Sequence, residues 1–313
     1  MADKQLSVIV PLYNEEANVV RLYQAIVRAL DPLDIEYEIL FVDDGSSDGT
    51  VAESSKLAEQ DQRLRILKFR RNYGQTPAMA AGIDYAQGNI LVTMDGDLQN
   101  DPDDIPRFLE KINEGFDIVV GWRHKRQDKL VTRKIPSIIA NRLIGKITGV
   151  PIKDNGCSLK AYKASVIKNI PLYSEMHRFI PAMSSLAGTK IAEIKVKHHA
   201  RKFGESKYGL SRIYKVLLDL IAIKTILSFY FRPMLLFAAC SIISAGIGLM
   251  TLFFLFKAGS GGSELIIFGV AFMYFTLAAI LLLWGILGEL VFNTGDTRPE
   301  FFALIKKSPQ NRT

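Results

Sequence analysis

The sequence predicts an α/β domain on a mainly parallel sheet, followed by amphipathic helices in a membrane interface and two transmembrane helices. Three observations carry this: short β-rich runs alternate with helix-period segments as far as Asp97, acidic clusters close three of those runs, and two late stretches are almost free of charge.

The alternation reads LSVIVPL, a helix from Glu15 to Leu30, EILFVDD, a helix from Thr50 to Gln60, LRILKF, a helix from Gln75 to Ala86, and ILVTMDGD. Strands separated by amphipathic helices argue for βαβ units, in which the crossover helix returns the chain to the same end of the sheet. Ligands of such sheets bind beyond the carboxyl ends of the strands. Asn14 and Glu15, Asp43 and Asp44, and Asp95 and Asp97 all fall there, so three polar clusters face one crevice. After DIVVGW the chain turns basic and helical from Arg133 to Thr148, and Asp154 to Lys163 reads as loop and strand.

With 313 residues, 49% of them hydrophobic, a sizeable core can be buried, but the apolar residues are unevenly placed. Met234 to Phe256 and Leu265 to Gly288 are each long enough, at about 1.5 Å rise per residue, to cross a hydrocarbon core of roughly 30 Å. Between Leu210 and Phe231, Arg212, Lys215, Asp219 and Lys224 recur at helical spacing within apolar sequence, which suits helices lying in the interface. The expected organisation is an α/β domain over 1–209, interfacial helices over 210–232, spans at 234–256 and 265–288 within 233–292, and a tail over 293–313. Basic residues at Arg232, Lys306, Lys307 and Arg312 flank the spans, so the positive-inside bias puts the N-terminal domain and the tail in the cytoplasm, at the inner or plasma membrane. The apolar stretch in MADKQLSVIV is too short, and too soon broken by Pro11 and Asn14, for a secretory signal.

Cys157 and Cys240 fall in different regions and offer neither a disulfide framework nor metal-ligand spacing, which fits a reducing compartment. The net charge of +7 is concentrated between Arg123 and Arg232, leading into the spans, and no nucleic-acid motif accompanies it. The expected partners are an anionic membrane and phosphorylated substrates, not nucleic acid. The paired spans also allow self-association into a homo-oligomer.

Asp95-Gly96-Asp97, with Gln99 two places on, directly follows a buried-strand pattern. Carboxylates at i and i+2 of an extended segment point the same way, and hard oxygen ligands suit Mg²⁺ or Mn²⁺ held together with substrate phosphates. A solvated turn is the bland reading of such a triplet, and its place downstream of two other acidic strand ends argues against it. In VDDGSSDGT, Ser46, Ser47 and Asp48 read as helix caps, whereas Asp43 and Asp44 read as ligands for base and ribose, since a buried unpaired carboxylate pair is costly. In PLYNEE, Asn14 as a helix cap and Glu15 as a nucleotide ligand stand level.

Taken together, PLYNEE, VDDGSSDGT, MDGDLQ and RKFGESKYG resemble the family-two glycosyltransferases of GT-A fold, a Rossmann-like architecture, and the resemblance covers nearly the whole chain. Within the family the pattern is similar to dolichol-phosphate mannose synthases and, with two C-terminal spans, still more to bacterial polyprenyl-phosphate glucosyltransferases. The resemblance implies inverting transfer of a hexose from a nucleotide-sugar to a polyprenyl phosphate such as undecaprenyl phosphate. UDP-glucose is the expected donor, with GDP-mannose as the alternative. It implies metal binding by Asp95, Asp97 and Gln99, and nucleotide contacts from Pro11, Tyr13, Glu15, Asp43 and Asp44. Arg123, Arg133 and Ser137, then Arg201, Ser206 and Lys207, match positions that in the family hold the lipid phosphate and the donor diphosphate. Asp154 matches an aspartate proposed to assist the acceptor, although Cys157 and Lys160 depart from the commoner residues of that stretch.

Two rivals fare worse: a processive polysaccharide synthase usually carries Q-x-x-R-W and more spans, and a dinucleotide dehydrogenase needs G-x-G-x-x-G, none of which this sequence has. A membrane scaffold that binds nucleotide-sugar without turnover stays an alternative, separated by measuring donor hydrolysis or transfer with and without Mn²⁺. His124, His177, His198 and His199 show no metal spacing and read as surface or core residues.

Overall fold

Runs of aliphatic and β-branched residues make the central strands, and every residue of β2 (Tyr37–Asp43) is buried, as expected of a parallel strand covered on both faces. The computed structural model describes residues 4–124, 142, 145–146, 149–170, 172, 176–185, 188–199, 233–258 and 264–294. The expected basic helix from Arg133 to Thr148 lies almost wholly, and the interfacial helices of 210–232 wholly, outside the described residues. Those described fall into two compact units, one carrying the sheet and one made of two long helices.

In the first unit β1 (Leu6–Leu12) leads through α1 (Glu16–Leu30) to β2, α2 (Thr50–Gln60), β3 (Leu64–Lys68), α3 (Gln75–Tyr85) and β4 (Ile90–Thr93). Then come α4 (Ile105–Asn113), β5 (Ile118–Trp122), β6 (Lys160–Lys163), the short α5 (Ala164–Ile167) and α6 (Ile180–Ser185), and β7 (Ile191–Lys195). The sheet order is β3-β2-β1-β4-β6-β5-β7. β3, β2, β1 and β4 are mutually parallel; β6 runs antiparallel to both β4 and β5, and β7 is parallel to β5. The chain steps outward from β1 to β3, then crosses back to place β4 on the other side of β1. That reversal opens a crevice beyond the carboxyl ends of β1 and β4. Because Thr93 pairs with Lys160, the residues just before β6 join the same rim.

Leu22 and Ile26 of α1 and Phe108 and Ile112 of α4 pack into one core with Leu6, Val8, Val10 and Leu12 of β1. α3 covers the opposite face, over Ile9 and Val42. At the amino end of the sheet the fully buried Glu38 accepts from Ser7 Oγ at 2.7 Å, Gln87 N at 2.6 Å, Arg65 Nη1 at 2.8 Å and Lys4 Nζ at 3.1 Å. One carboxylate thereby ties β1, β2, β3 and the turn before β4.

Helix α1 begins at Glu16 with Glu15 at its cap position, so Asn14 is not the cap that the sequence offered as one reading. Neither α4 nor β7 was assigned from the sequence. β7 sits at the sheet edge, where IAEIK mixes charged and apolar residues and leaves only Ile194 fully buried.

The second unit pairs α7 (Pro233–Ala258) with α8 (Glu264–Thr294). The apolar stretches Met234–Lys257 and Leu265–Val291 have mean hydropathies of 2.1 and 2.6 and are long enough to cross a membrane. Ser241 Oγ donates to Ala278 O at 2.8 Å and Ser244 Oγ to Tyr274 O at 2.9 Å, an antiparallel register held by small polar residues. Large apolar side chains such as Ile242, Phe256 and Leu265 stand exposed, unlike those of core helices in a water-soluble protein.

Candidate active site

The loops after β1 and β2 are zipped together. Asn14, at φ +53°, accepts from Ser47 N at 2.9 Å on Oδ1, while its backbone N–H donates to Ser46 Oγ at 2.9 Å. Glu15 N donates to Thr50 Oγ1 at 2.8 Å, and the Glu15 carboxylate accepts from Asn18 Nδ2 at 2.6 Å. Ser46 and Ser47 thus bond across to the neighbouring loop, whereas Asp48 accepts from Thr50 N at 3.0 Å at the start of α2. Pro11 and Tyr13, both half-buried, flank this junction.

The adjacent acids of β2 differ sharply. Asp43 takes Ser46 N at 3.1 Å on Oδ2, while its buried Oδ1 has no hydrogen-bond partner among the described residues. A buried carboxylate oxygen left this way is costly and marks a place for a ligand donor. Asp44 has both oxygens occupied, accepting from Tyr73 N at 2.7 Å and Gly74 N at 2.8 Å. Burial pushes Asp44 above the usual carboxylate range, with Asp43 adding to the effect and the two amides opposing it. Gly45, at φ +71°, presses against the backbone of Arg71 and Asn72, where any Cβ would collide.

Asp95 and Asp97 follow β4 directly. Gly96 lies against Leu12 and Pro11 O with no room for a side chain, which holds the acidic turn on the end of β1. Asp95 Oδ1 accepts from Gln75 Nε2 at 2.6 Å. Burial, then repulsion from Asp97, drives the Asp95 carboxyl upward; a Ser158 hydrogen bond and the charges of Arg123 and Arg178 oppose this. Asp97 is buried, accepts from Gln99 N at 3.1 Å, and spans Leu98 in the left-handed region at φ +60°. Strain of this kind persists where the surroundings enforce it. Gln99 is half-buried and its carbonyl accepts from His199 N at 2.9 Å.

Two mutually repelling carboxylates on one turn suit a hard divalent cation. Among the described residues no group of three His, Cys, Asp or Glu side chains could hold a metal. A Mg²⁺ or Mn²⁺ there would complete its shell with water and substrate phosphate, as such ions commonly do. The residues therefore fit a cation shared with a diphosphate, not a closed protein cage.

On the far side of the rim, Arg123 and Asp154 form a buried two-pronged pair, Nε to Oδ2 at 2.7 Å and Nη2 to Oδ1 at 2.9 Å. The buried setting opposes the Arg123 charge, yet Asp154 outweighs it and raises the guanidinium above its ordinary value. Lys160, fully buried, donates to Asn155 O at 3.2 Å and His177 O at 3.1 Å, and burial lowers its ammonium to about 8. His177 is buried with Nδ1 2.7 Å from Thr76 Oγ1, a core role. Cys157 is a buried thiol that burial pushes up to about 12, so it is not a nucleophile at neutral pH.

The structure thus gathers Pro11, Tyr13, Glu15, Asp43, Asp44, Asp95, Asp97, Gln99, Arg123 and Asp154 at one end of the sheet. Arg133, Ser137, Arg201, Ser206 and Lys207 lie outside the described residues. Gln75, Ser158 and the Thr76–His177 link were not singled out from the sequence, because polar residues at a helix start or in a loop carry no distinguishing pattern.

The model of glycosyl transferase family 2 matches residues 7–170. The chain belongs to that family. A dodecaprenyl-phosphate galacturonate synthase from Rhizobium johnstonii is 41% identical over 95% of this chain and 91% of its own. An undecaprenyl-phosphate 4-deoxy-4-formamido-L-arabinose transferase from Aeromonas hydrophila is 34% identical over 96% of this chain and 93% of its own. Among solved structures, the glucosyl-3-phosphoglycerate synthase of Mycobacterium tuberculosis, in complex with Mn²⁺ and UDP, matches at TM-score 0.53 and 17% identity, over 71% of this chain and 79% of that one. The family-2 domain here has the GT-A fold, and the chain is a glycosyltransferase.

Proposed function

We propose that this family-2 glycosyltransferase moves a hexose or hexuronate from a uridine diphosphate sugar to a polyprenyl phosphate at the cytoplasmic face of the membrane, inverting the anomeric carbon. The observation that carries the reading is the meeting of Asp95 and Asp97 with the Arg123–Asp154 pair at one rim, in a chain with two membrane-length helices. Two relatives named as polyprenyl-phosphate sugar transferases, matched over nearly the full chain, support the acceptor class. The galacturonate named for one of them puts a C6-carboxylate sugar beside glucose as a candidate.

A lipid phosphate oxygen attacks the anomeric carbon; the new carbon–oxygen bond forms as the bond to the nucleoside diphosphate breaks, and the electron pair leaves with the diphosphate. The attacking phosphate is already anionic at neutral pH, so no general base is required. A bound Mg²⁺ or Mn²⁺ supplies charge neutralisation for the departing diphosphate. Asp95 and Asp97, with Gln99 beside them, hold it. Asp43, through the Oδ1 that has no partner among the described residues, takes a donor from the nucleoside, and Pro11, Tyr13 and Glu15 shape that pocket. Asp44 keeps the 73–74 backbone in place. Asp154 orients Arg123, whose fork suits phosphate oxygens. Arg133, Ser137, Arg201, Ser206 and Lys207 complete the phosphate-binding set in this proposal.

The test uses the purified full chain in lipid nanodiscs with undecaprenyl phosphate, Mn²⁺ and labelled UDP-galacturonate, UDP-glucose or GDP-mannose. Label entering the lipid extract from a uridine donor, with UDP released in equal amount, supports the proposal. Transfer from GDP-mannose alone, or donor hydrolysis without lipid product, contradicts it.

A further inference from the structure

Gln75, the first residue of α3, belongs to none of the acidic motifs, yet its Nε2 donates to Asp95 Oδ1 at 2.6 Å. We propose that Gln75 is a positioning residue for the divalent cation, fixing the rotamer of Asp95 while leaving its charge available. The inference rests on the cation-dependent reading above.

Three features support it. First, the donor is neutral: an amide orients a carboxylate without cancelling its charge, whereas a lysine or arginine would compete with the cation. Second, the turn carrying Gln75 is held from both sides. Asp44 anchors the backbone of Tyr73 and Gly74 just before it, and Thr76 just after it meets His177 Nδ1 at 2.7 Å. Third, His177 is itself anchored, because the buried Lys160 joins its carbonyl to that of Asn155. Gln75 therefore projects from a fixed frame onto Asp95, and the same frame reaches the loop that carries Asp154 and Ser158.

The test compares full-length wild type, Gln75→Leu, Gln75→Asn and Asp97→Asn. Mn²⁺ affinity is read from the paramagnetic resonance of free Mn²⁺, alongside melting temperature and transfer rate against Mn²⁺ concentration. Gln75→Leu is expected to weaken Mn²⁺ binding roughly 10- to 100-fold, the usual cost of losing a partner of a metal ligand. The Mn²⁺ needed for half-maximal rate should rise in parallel, with the KM for lipid phosphate unchanged and most of kcat recovered at saturating Mn²⁺. Gln75→Asn, one methylene short, should fall between, and it carries the test if Gln75→Leu fails to fold. Wild-type Mn²⁺ affinity in a folded Gln75 variant, with binding lost in Asp97→Asn, overturns this inference and leaves the proposed function standing. No Mn²⁺ binding by wild type, with lipid transfer intact, overturns the inference together with the cation's role.

Discussion

The two ends of β2 carry buried carboxylates in opposite circumstances. At the amino end Glu38 is saturated: two cationic side chains, a hydroxyl and a backbone amide meet its two oxygens, and these bonds overcome burial to hold it below the usual carboxylate range. At the carboxyl end Asp43 keeps an oxygen without a partner among the described residues, and across the crevice burial and a like charge push Asp95 up. The first arrangement is what stability requires of a buried charge. The second is costly by itself, and the cation and nucleoside diphosphate proposed above would offset that cost.

Several substitutions would break or sharpen this contrast. The largest effect is expected at the carboxyl end, where Asp97→Asn should lower transfer about 10³-fold, on the scale of losing a preorganised charge-stabilising group, while the protein stays folded. Removing Asp95 in the same way should stabilise the metal-free protein. Its folded pKa is raised, so the wild type gives up stability as pH climbs above the ordinary aspartate value, and Asp95→Asn escapes that loss. The melting difference should therefore be visible at pH 7 and vanish in acid.

Arg123→Ala comes next, because it takes the guanidinium away from the buried Asp154 carboxylate. Removing one partner of a buried pair costs about 3–4 kcal/mol, and urea unfolding of the variant should show it. Arg123→Met with Asp154→Leu should regain much of that stability and none of the transfer.

Glu38→Ala should cost about 2–3 kcal/mol, less than a fully enclosed pair because Lys4 and Arg65 reach solvent. Glu38 contributes stability that is present above the ordinary glutamate pKa and is lost as pH falls through its lowered folded value. The acid limb of a stability–pH curve should flatten in the variant, and an unchanged limb would break the contrast. As a baseline, Lys111→Ala removes a solvent-exposed pair with Glu114 and should shift stability by less than about 0.5 kcal/mol.

Much of this was legible in the chain. The strand runs leading to Asn14, Asp43 and Asp95 announce a parallel sheet with polar and acidic residues at one rim, because short continuous apolar runs separated by helix-period segments leave strong local signals. The resemblance of PLYNEE, VDDGSSDGT and MDGDLQ supplied the family. Hidden from sequence were the relations that only packing decides. Asp43 and Asp44 look alike in VDD, yet one has an oxygen without a partner among the described residues and the other grips the 73–74 backbone. Asp154 and Arg123 were expected as separate contacts and turn out to face each other, since β5 and the segment before β6 are joined only through antiparallel pairing. Lys160 reads as a departure from a pattern, and its burial between two carbonyls has no sequence signature at all.

Titrating UDP calorimetrically into the full chain, with and without Mn²⁺, for wild type and Asp97→Asn tests the central claim most directly. Tight binding by wild type only when Mn²⁺ is present, with the cation making no difference in Asp97→Asn, is the predicted result. UDP binding equally to both proteins whether or not Mn²⁺ is added would contradict it.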